Sequence, residues 1–361
     1  MLSSTADCTL TALRPLKILR LRWRLASLLQ WDYLGIRSWL RSPATTNTKR
    51  ANAVLPAVCH PPLCFRSAND LEKAAELVGF PAVLKPMKGA ASSDVYFISD
   101  KQALLARFQQ IVNERHGKTQ SFDLNSNDAH TINLVWIEGF DLLLEEYLDG
   151  DEFDIDCLLS CGELVFSSIT SEDPQPHMLE AGASLPARYP LAKQDELVEM
   201  ARQVLKTLGF SDGAFHVEAK YTSHGPRLLE VNARIGGGPV YSMVKQVWGV
   251  DLVEEYLLTC IGLPIHPRKA KNPLAYLALR DLCVPYSGIV IRDDFLAHLA
   301  NDPRVLVCKT FVIAGQKVMG PDRGVPEWMG EIMVCGESSE AAYQTLEAIV
   351  ASVELPIQRS E

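Results

Sequence analysis

The 361-residue chain has no uncharged apolar run approaching the ~18–20 residues that cross a bilayer as a helix, so no transmembrane segment is expected. It has no CxxC pair and no histidine cluster. Its nine cysteines (Cys8, Cys59, Cys64, Cys157, Cys161, Cys260, Cys283, Cys308 and Cys335) are scattered. That argues against zinc and disulfide frameworks and for reduced thiols in an intracellular protein. Positive charge is not in excess: the net charge of −9 argues against nucleic acid as the main partner. There is also no GK[ST] behind a glycine-rich loop, which excludes a Walker-type phosphate loop. What remains is 47% apolar and 22% charged, an ordinary globular composition with length for two or three cores.

Charge is unevenly spread. Residues 1–50 hold nine Lys/Arg against two Asp/Glu, and the other 311 residues hold 26 against 42, so a leader at +7 precedes a body at −16. Charges interrupt any signal-peptide core in the Arg-rich segment LRPLKILRLRWRLASLLQWDYLGIRSWLRS. Its composition fits a mitochondrial presequence, a basic helix on a membrane surface, or foreign sequence heading a truncated chain. A cytoplasmic location is expected, with a mitochondrial one as the alternative.

The most informative stretch is Gly213 to Gly238. In AFHVEAKYT, Phe215, Val217, Ala219 and Tyr221 alternate with His216, Glu218 and Lys220. In RLLEVNAR, Leu229, Val231 and Ala233 alternate with Glu230, Asn232 and Arg234. Ser223, His224, Gly225 and Pro226 supply a turn. A hairpin folded about His224 sets Glu218 opposite Glu230 and His216 opposite Asn232, with Cβ atoms ~5 Å apart. Like charges so placed repel, and a hard cation with oxygen ligands relieves them. Arg234 points into the same space, suited to a phosphate or carboxylate. The plainer alternative is a solvated hairpin face with a Glu–Arg ion pair.

Two more segments carry polar chemistry. Ala82 to Leu84 read as a strand with Lys85 at its end, followed by a loop of small residues that includes Gly89, Ser92 and Ser93. Such a loop can lie close over phosphates with its N–H groups as donors. In LLLEEYLDGDEFDIDCLL (Leu142 to Leu159) a strand with Glu145 and Glu146 inside it turns at Asp149-Gly150 into a second strand. Buried carboxylates there need partners. Elsewhere, SANDLEKAAELVG (Ser67 to Gly79) reads as a helix with a Ser67/Asp70 capping box and a glycine stop. Further helices are expected over 99–116, 193–208, 241–261 (broken at Gly249) and 338–353, a polar excursion over 117–133, and late strands in LAYLAL, RVLVCKTF and EIMVCG.

E-(x11)-E-x-N-x-R with Gly236, Gly237 and Gly238 behind it resembles the magnesium-binding end of the ATP-grasp superfamily, and most of all its amino-acid and dipeptide ligases of the carnosine-synthase type. The resemblance covers roughly residues 67–355. It implies an α+β ATP-grasp fold, two subdomains gripping ATP between antiparallel sheets. It divides the chain into a leader of uncertain status (1–48), a small subdomain (49–140), a large subdomain with the metal site (141–263) and a closing subdomain (264–361). It implies an ATP-dependent carboxylate–amine ligase with ATP and amino acids as substrates and Mg2+ or Mn2+ as metal. Glu218, Glu230 and Asn232 become metal ligands and Arg234 the cation that stabilises an acyl phosphate. Lys49 and Lys85 become the ATP lysines, with Gly89, Ser92 and Ser93 in the loop over the phosphates. Glu145 faces the adenine amino group, Glu146 and Leu148 contribute backbone, and Glu152 takes the ribose. His177, Glu180 and Arg188 are substrate candidates. The family's N-terminal α/β domain has no counterpart here, so a regulatory or inactive ATP-binding protein is the alternative function. A homo-oligomer is compatible with either.

Overall fold

A computed structural model describes residues 63–65, 68–86, 94–116, 142–173, 181–321 and 326–359. Strand and helix patterns segregate into two larger antiparallel sheets with helices on their faces and a third, three-stranded one. The first sheet has four short strands: β1 (Leu63–Phe65), β2 (Ala82–Pro86), β3 (Tyr96–Ile98) and β4 (Leu142–Glu146), in the order β1-β4-β2-β3. Helices α1 (Ala68–Val78) and α2 (Lys101–His116) cover it. Leu71, Ala74, Ala75 and Val78 recur at helical spacing, so one stripe of α1 meets Leu84, Ile98 and Leu144. Gly79, at φ +77, ends α1 as its spacing predicts, its N–H donating to the Ala75 carbonyl at 3.0 Å. Ser67 of the expected capping box, the polar segment 117–133 and the leader lie outside the described residues. Residues 142–146, expected to open the large subdomain, pair instead within this small sheet.

The second sheet has eight strands. They are β5 (Asp151–Ser160), β6 (Glu163–Glu172), β7 (Gly182–Leu185), β8 (Gly213–Thr222), β9 (Gly225–Asn232), β10 (Tyr276–Cys283), β12 (Val305–Thr310) and β14 (Trp328–Gly336). Their order is β12-β14-β10-β7-β6-β5-β8-β9, with every recorded pairing antiparallel. Strands before and after residue 263 therefore share one sheet. Helix α3 (Leu191–Thr207) packs Leu197, Ala201, Val204 and Leu205 against Phe153, Ile155, Phe215 and Val217 on one face. On the other face α4 (Val240–Trp248) and α5 (Leu252–Cys260) cover only the end that carries Leu158 and Phe166. Gly249 (φ +71) breaks α4 from α5 as expected, and Asp251 caps α5 through the N–H groups of Val253 and Glu254. A last helix α6 (Ser339–Val350) packs on β10 and β14, beside a small sheet of β11 (Gly288–Val290), β13 (Lys317–Val318) and β15 (Ile357–Arg359). Among the described residues no helix is long and apolar enough to cross a membrane.

The β8–β9 hairpin departs from simple alternation in one place. Ser223 and His224 form a two-residue turn closed by Thr222 opposite Gly225. Continued regularly, that register would set Glu218 opposite Leu229. A bulge intervenes instead: Ala219 faces Leu228, Glu218 faces Glu230, and Leu229 is the extra residue. Leu228, rather than the expected Leu229, joins Val231 and Ala233 against the α3 core.

Candidate active site

The even-numbered residues of β5, β6 and β8 share the sheet face that α4 and α5 leave partly uncovered. Two polar rows run across it. Thr170, Asp154, Glu218 and Glu230 are successive opposite neighbours on β6, β5, β8 and β9. Ser168, Asp156, His216 and Asn232 form the next row. The hairpin half of this arrangement follows from the sequence; the β5 half depends on pairing between segments 60 residues apart, which the sequence does not display.

Within the rows, Asn232 Nδ2 donates to Glu218 Oε1 at 2.9 Å. His216 is buried between two aspartates: Nδ1 is 3.1 Å from Asp156 Oδ1 and Nε2 is 3.4 Å from Asp154 Oδ2. Nε2 also lies 3.9 Å from Glu218 Oε1. Burial alone would lower the His216 pKa, but Asp154, Asp156 and Glu218 together outweigh it and raise the value to about 10. Burial raises the Asp154 carboxyl in turn, against the attraction of His216 and Arg234. Asp156 Oδ2, Ser168 Oγ and Thr170 Oγ1 are buried with no hydrogen-bond partner among the described residues. Gly236 rests on the ring: a Cβ there would stand 2.8 Å from His216 Nδ1 and 3.0 Å from Asp156 Oδ1. The glycine therefore admits a close approach to the protein's own histidine. Arg234, just before it, is partly buried and donates through Nη1 to the Ile235 carbonyl at 3.0 Å.

These donors fit a hard divalent cation. Two carboxylates face each other on adjacent strands, and Asn232, donating through its nitrogen, keeps its carbonyl oxygen as a further donor. Among the described residues no three His, Cys, Asp or Glu side chains converge as a finished metal cage. A divalent ion held there would take one or two carboxylates and complete its shell with other oxygen ligands and water.

At the junction with the small sheet, Lys85 and Glu145 form an ion pair between β2 and β4. Glu146 is exposed and Leu148 half-buried. The Tyr147 N–H donates to the Pro81 carbonyl at 3.2 Å, and its ring meets Phe97 edge-on at 5.0 Å. Lys220 spans the junction, 3.8 Å from Glu152 and 5.3 Å from the Tyr147 ring centroid. Gly150 (φ +86) makes the turn into β5, where a Cβ would collide with the Tyr221 carbonyl oxygen at 2.1 Å.

Arg188 lies elsewhere. Its Nη2 is 2.9 Å from buried Asp173, its Nε donates to Ser184 Oγ at 3.3 Å, and its guanidinium stacks 3.5 Å above Tyr343. Arg280 meets the same Asp173 at 2.8 Å and also pairs with Glu347 of α6. Arg188 is thus held in a cluster tying β7 and β10 to α6. Lys49, Gly89, Ser92, Ser93, His177 and Glu180 fall outside the described residues. Sequence reasoning passed over Asp154, Asp156 and Lys220 as site residues and placed His216 on the polar face without a role. The alternation E-F-D-I-D on β5, matching H-V-E-A-K on β8, is the signal that could have found them.

A profile of the ATP-grasp domain matches residues 78–242. Human carnosine synthase 1 is 30% identical over 231 residues, covering 62% of this chain and 27% of that protein. The chain spans only about a fifth to a quarter of the length of the carnosine synthases it matches. The crystal structure of an L-amino acid ligase from Bacillus licheniformis superposes with a TM-score of 0.66 at 20% identity, covering 87% of this chain and 72% of that one. The biotin carboxylase domain of Hydrogenobacter thermophilus 2-oxoglutarate carboxylase, solved with MgADP, shares the fold with a TM-score of 0.61 at 14% identity, over 92% of this chain and 68% of that one. A polar sheet face beside a second, smaller antiparallel sheet and these likenesses agree: this chain has the ATP-grasp fold, and its residues 78–242 match the ATP-grasp domain.

Proposed function

We propose that this protein is an ATP- and Mg2+-dependent carboxylate–amine ligase that joins amino acids. The observation that carries the reading is the opposition of Glu218 and Glu230, with Asn232 beside them and Arg234 beyond. Glu218, Glu230 and Asn232 would hold Mg2+, or Mn2+ on the same oxygens, which when bound offsets negative charge on the phosphates. Arg234 follows them in sequence and acts on the charge that develops during phosphoryl transfer. Lys85 serves the phosphates and Glu145 the adenine amino group. Leu148 and Glu146 contribute backbone groups, and Glu152 the ribose contact. Since Lys85 and Glu145 bond each other here, nucleotide entry parts them.

The chemistry has two steps. A substrate carboxylate oxygen attacks the γ-phosphorus of ATP, and ADP leaves. The amine of a second amino acid then attacks the acyl carbon, loses a proton and expels inorganic phosphate. The similarity to carnosine synthase and to an L-amino acid ligase supports amino acids as the substrate class.

The test is ADP release from the full chain with Mg2+-ATP and amino acids, singly and in pairs. ADP formation that requires two amino acids supports the ligase. Nucleotide binding without turnover in any pair would overturn it in favour of an ATP-binding regulatory protein.

A further inference from the structure

Both nitrogens of His216 are engaged by carboxylates on β5, at 3.1 and 3.4 Å, so the ring cannot rotate without breaking one contact. Its Nε2 also reaches Glu218 Oε1 at 3.9 Å, the same oxygen that accepts from Asn232 at 2.9 Å. That oxygen is thus approached by an imidazole and an amide at once. The backbone two residues past Arg234 also comes up against the ring. Gly236 sits so close that a methyl group would come within 2.8 Å of Nδ1 and 3.1 Å of Cε1. One ring therefore binds the β5 carboxylates, stands 3.9 Å from the Glu218 carboxylate and packs against the glycine two residues past Arg234.

A buried histidine that only filled space would not need a carboxylate on each nitrogen, nor a glycine on its flank. Burying the two aspartates is costly unless each is paired, and His216 partners both. The arrangement converts that cost into fixed geometry, because an ion pair held in a packed sheet has little freedom. Groups that orient a metal ligand from behind commonly tune the affinity of the metal.

We propose that His216 is a positioning residue, which fixes the Glu218 carboxylate and the Arg234–Gly236 turn relative to one another through the Asp154 and Asp156 pair. The proposal rests on the metal assignment above. His216 itself touches neither nucleotide nor metal. Its removal should leave metal-free nucleotide contacts at the junction of the two sheets intact and should loosen only the metal-dependent part of binding.

The experiment is calorimetric titration of the full chain with ADP in EDTA and then in a series of Mg2+ concentrations. Wild type, His216→Asn, Gly236→Ala and Glu230→Ala are compared, with melting temperature as the control for folding. His216→Asn and Gly236→Ala are each expected to raise the Mg2+ concentration for half-saturation about tenfold. ADP affinity in EDTA should stay within about twofold. Gly236→Ala keeps every polar group, so it decides the matter if His216→Asn does not fold. An unchanged Mg2+ requirement in a folded His216→Asn or Gly236→Ala protein would overturn the proposal while leaving the metal site standing. An equal loss of ADP affinity with and without Mg2+ would also overturn it, since that is general damage. No Mg2+ dependence in wild type, or none lost in Glu230→Ala, would instead sink the metal reading on which the proposal depends.

Discussion

Glu218 faces Glu230 across the β8–β9 hairpin because Leu229 is an extra residue in β9. A two-residue turn alone would have set Leu229 against Glu218. The bulge restores the pairing, so both carboxylates and Asn232 look out of the same face. Deleting Leu229 should remove the bulge yet keep Glu230 opposite Glu218. Magnesium-dependent ADP binding in that deletion is expected within about fivefold of wild type. Complete loss would mean that the local twist, and not the pairing, is what the site requires.

Glu230→Ala should abolish magnesium-dependent ADP formation, to below about 1% of the wild-type rate. It should not harm the metal-free fold. The apolar cluster behind the hairpin is untouched, so the melting temperature in EDTA should stay close to wild type. Unchanged turnover in this variant would refute the metal assignment.

Helix α3 holds the large sheet through a continuous apolar cluster in which Leu205 is fully buried. Leu205→Ala should cost about 2–5 kcal/mol, the usual range for a cavity at a site that cannot collapse. Urea unfolding would read this directly, and a loss under ~1 kcal/mol would show that α3 can shift to fill the space.

The His216 ionisation gives stability a pH dependence. Its ordinary pKa of 6.5 is raised to about 10 in the folded chain, where burial is outweighed by Asp154, Asp156 and Glu218. A raised basic group stabilises the fold fully below 6.5, and that contribution is lost as pH climbs through about 10. Urea midpoints in EDTA should therefore fall between neutral pH and pH 10, and His216→Asn should flatten the fall. A flat wild-type profile would show that the imidazole is neutral between its two aspartates.

Cysteine accessibility offers a separate check on the sheet. Cys161 is exposed at the β5–β6 turn, whereas Cys157, four residues earlier, is buried and its thiol is pushed well above the ordinary range by burial. Iodoacetamide should label Cys161 in the native protein and reach Cys157 only after unfolding. Equal labelling of the two would mean that the β5–β6 hairpin opens readily.

The hairpin was legible because its two periods are local. Alternation in AFHVEAKYT and VNAR separates core from polar face, and turn residues mark where the chain reverses. Gly79 and Gly249 were legible as helix ends for the same reason, since each acts through its own φ. The bulge was not legible, because Leu228 and Leu229 are alike and only packing on α3 selects between them. The two aspartates around His216 were missed because their pairing joins distant segments. The Arg188–Asp173–Arg280 cluster was missed more completely: Asp173 and Arg280 are 107 residues apart, and neither carries a local pattern. Lys85 and Glu145 were assigned to two ends of a nucleotide, and their bond to each other follows only once β2 lies beside β4.

Among the described residues β9 is the last strand of the eight-stranded sheet and pairs only with β8. Two of the three candidate metal ligands, Glu230 and Asn232, therefore ride on a border strand whose outer amides have no neighbouring strand among the described residues. Border strands open at lower free energy than central ones, so amides in 225–232 should exchange with deuterium sooner than those of β5 or β8. Nucleotide and metal bound on this strand would slow that exchange. The same eight residues that complete the site would then serve as its built-in reporter, readable by mass without any label.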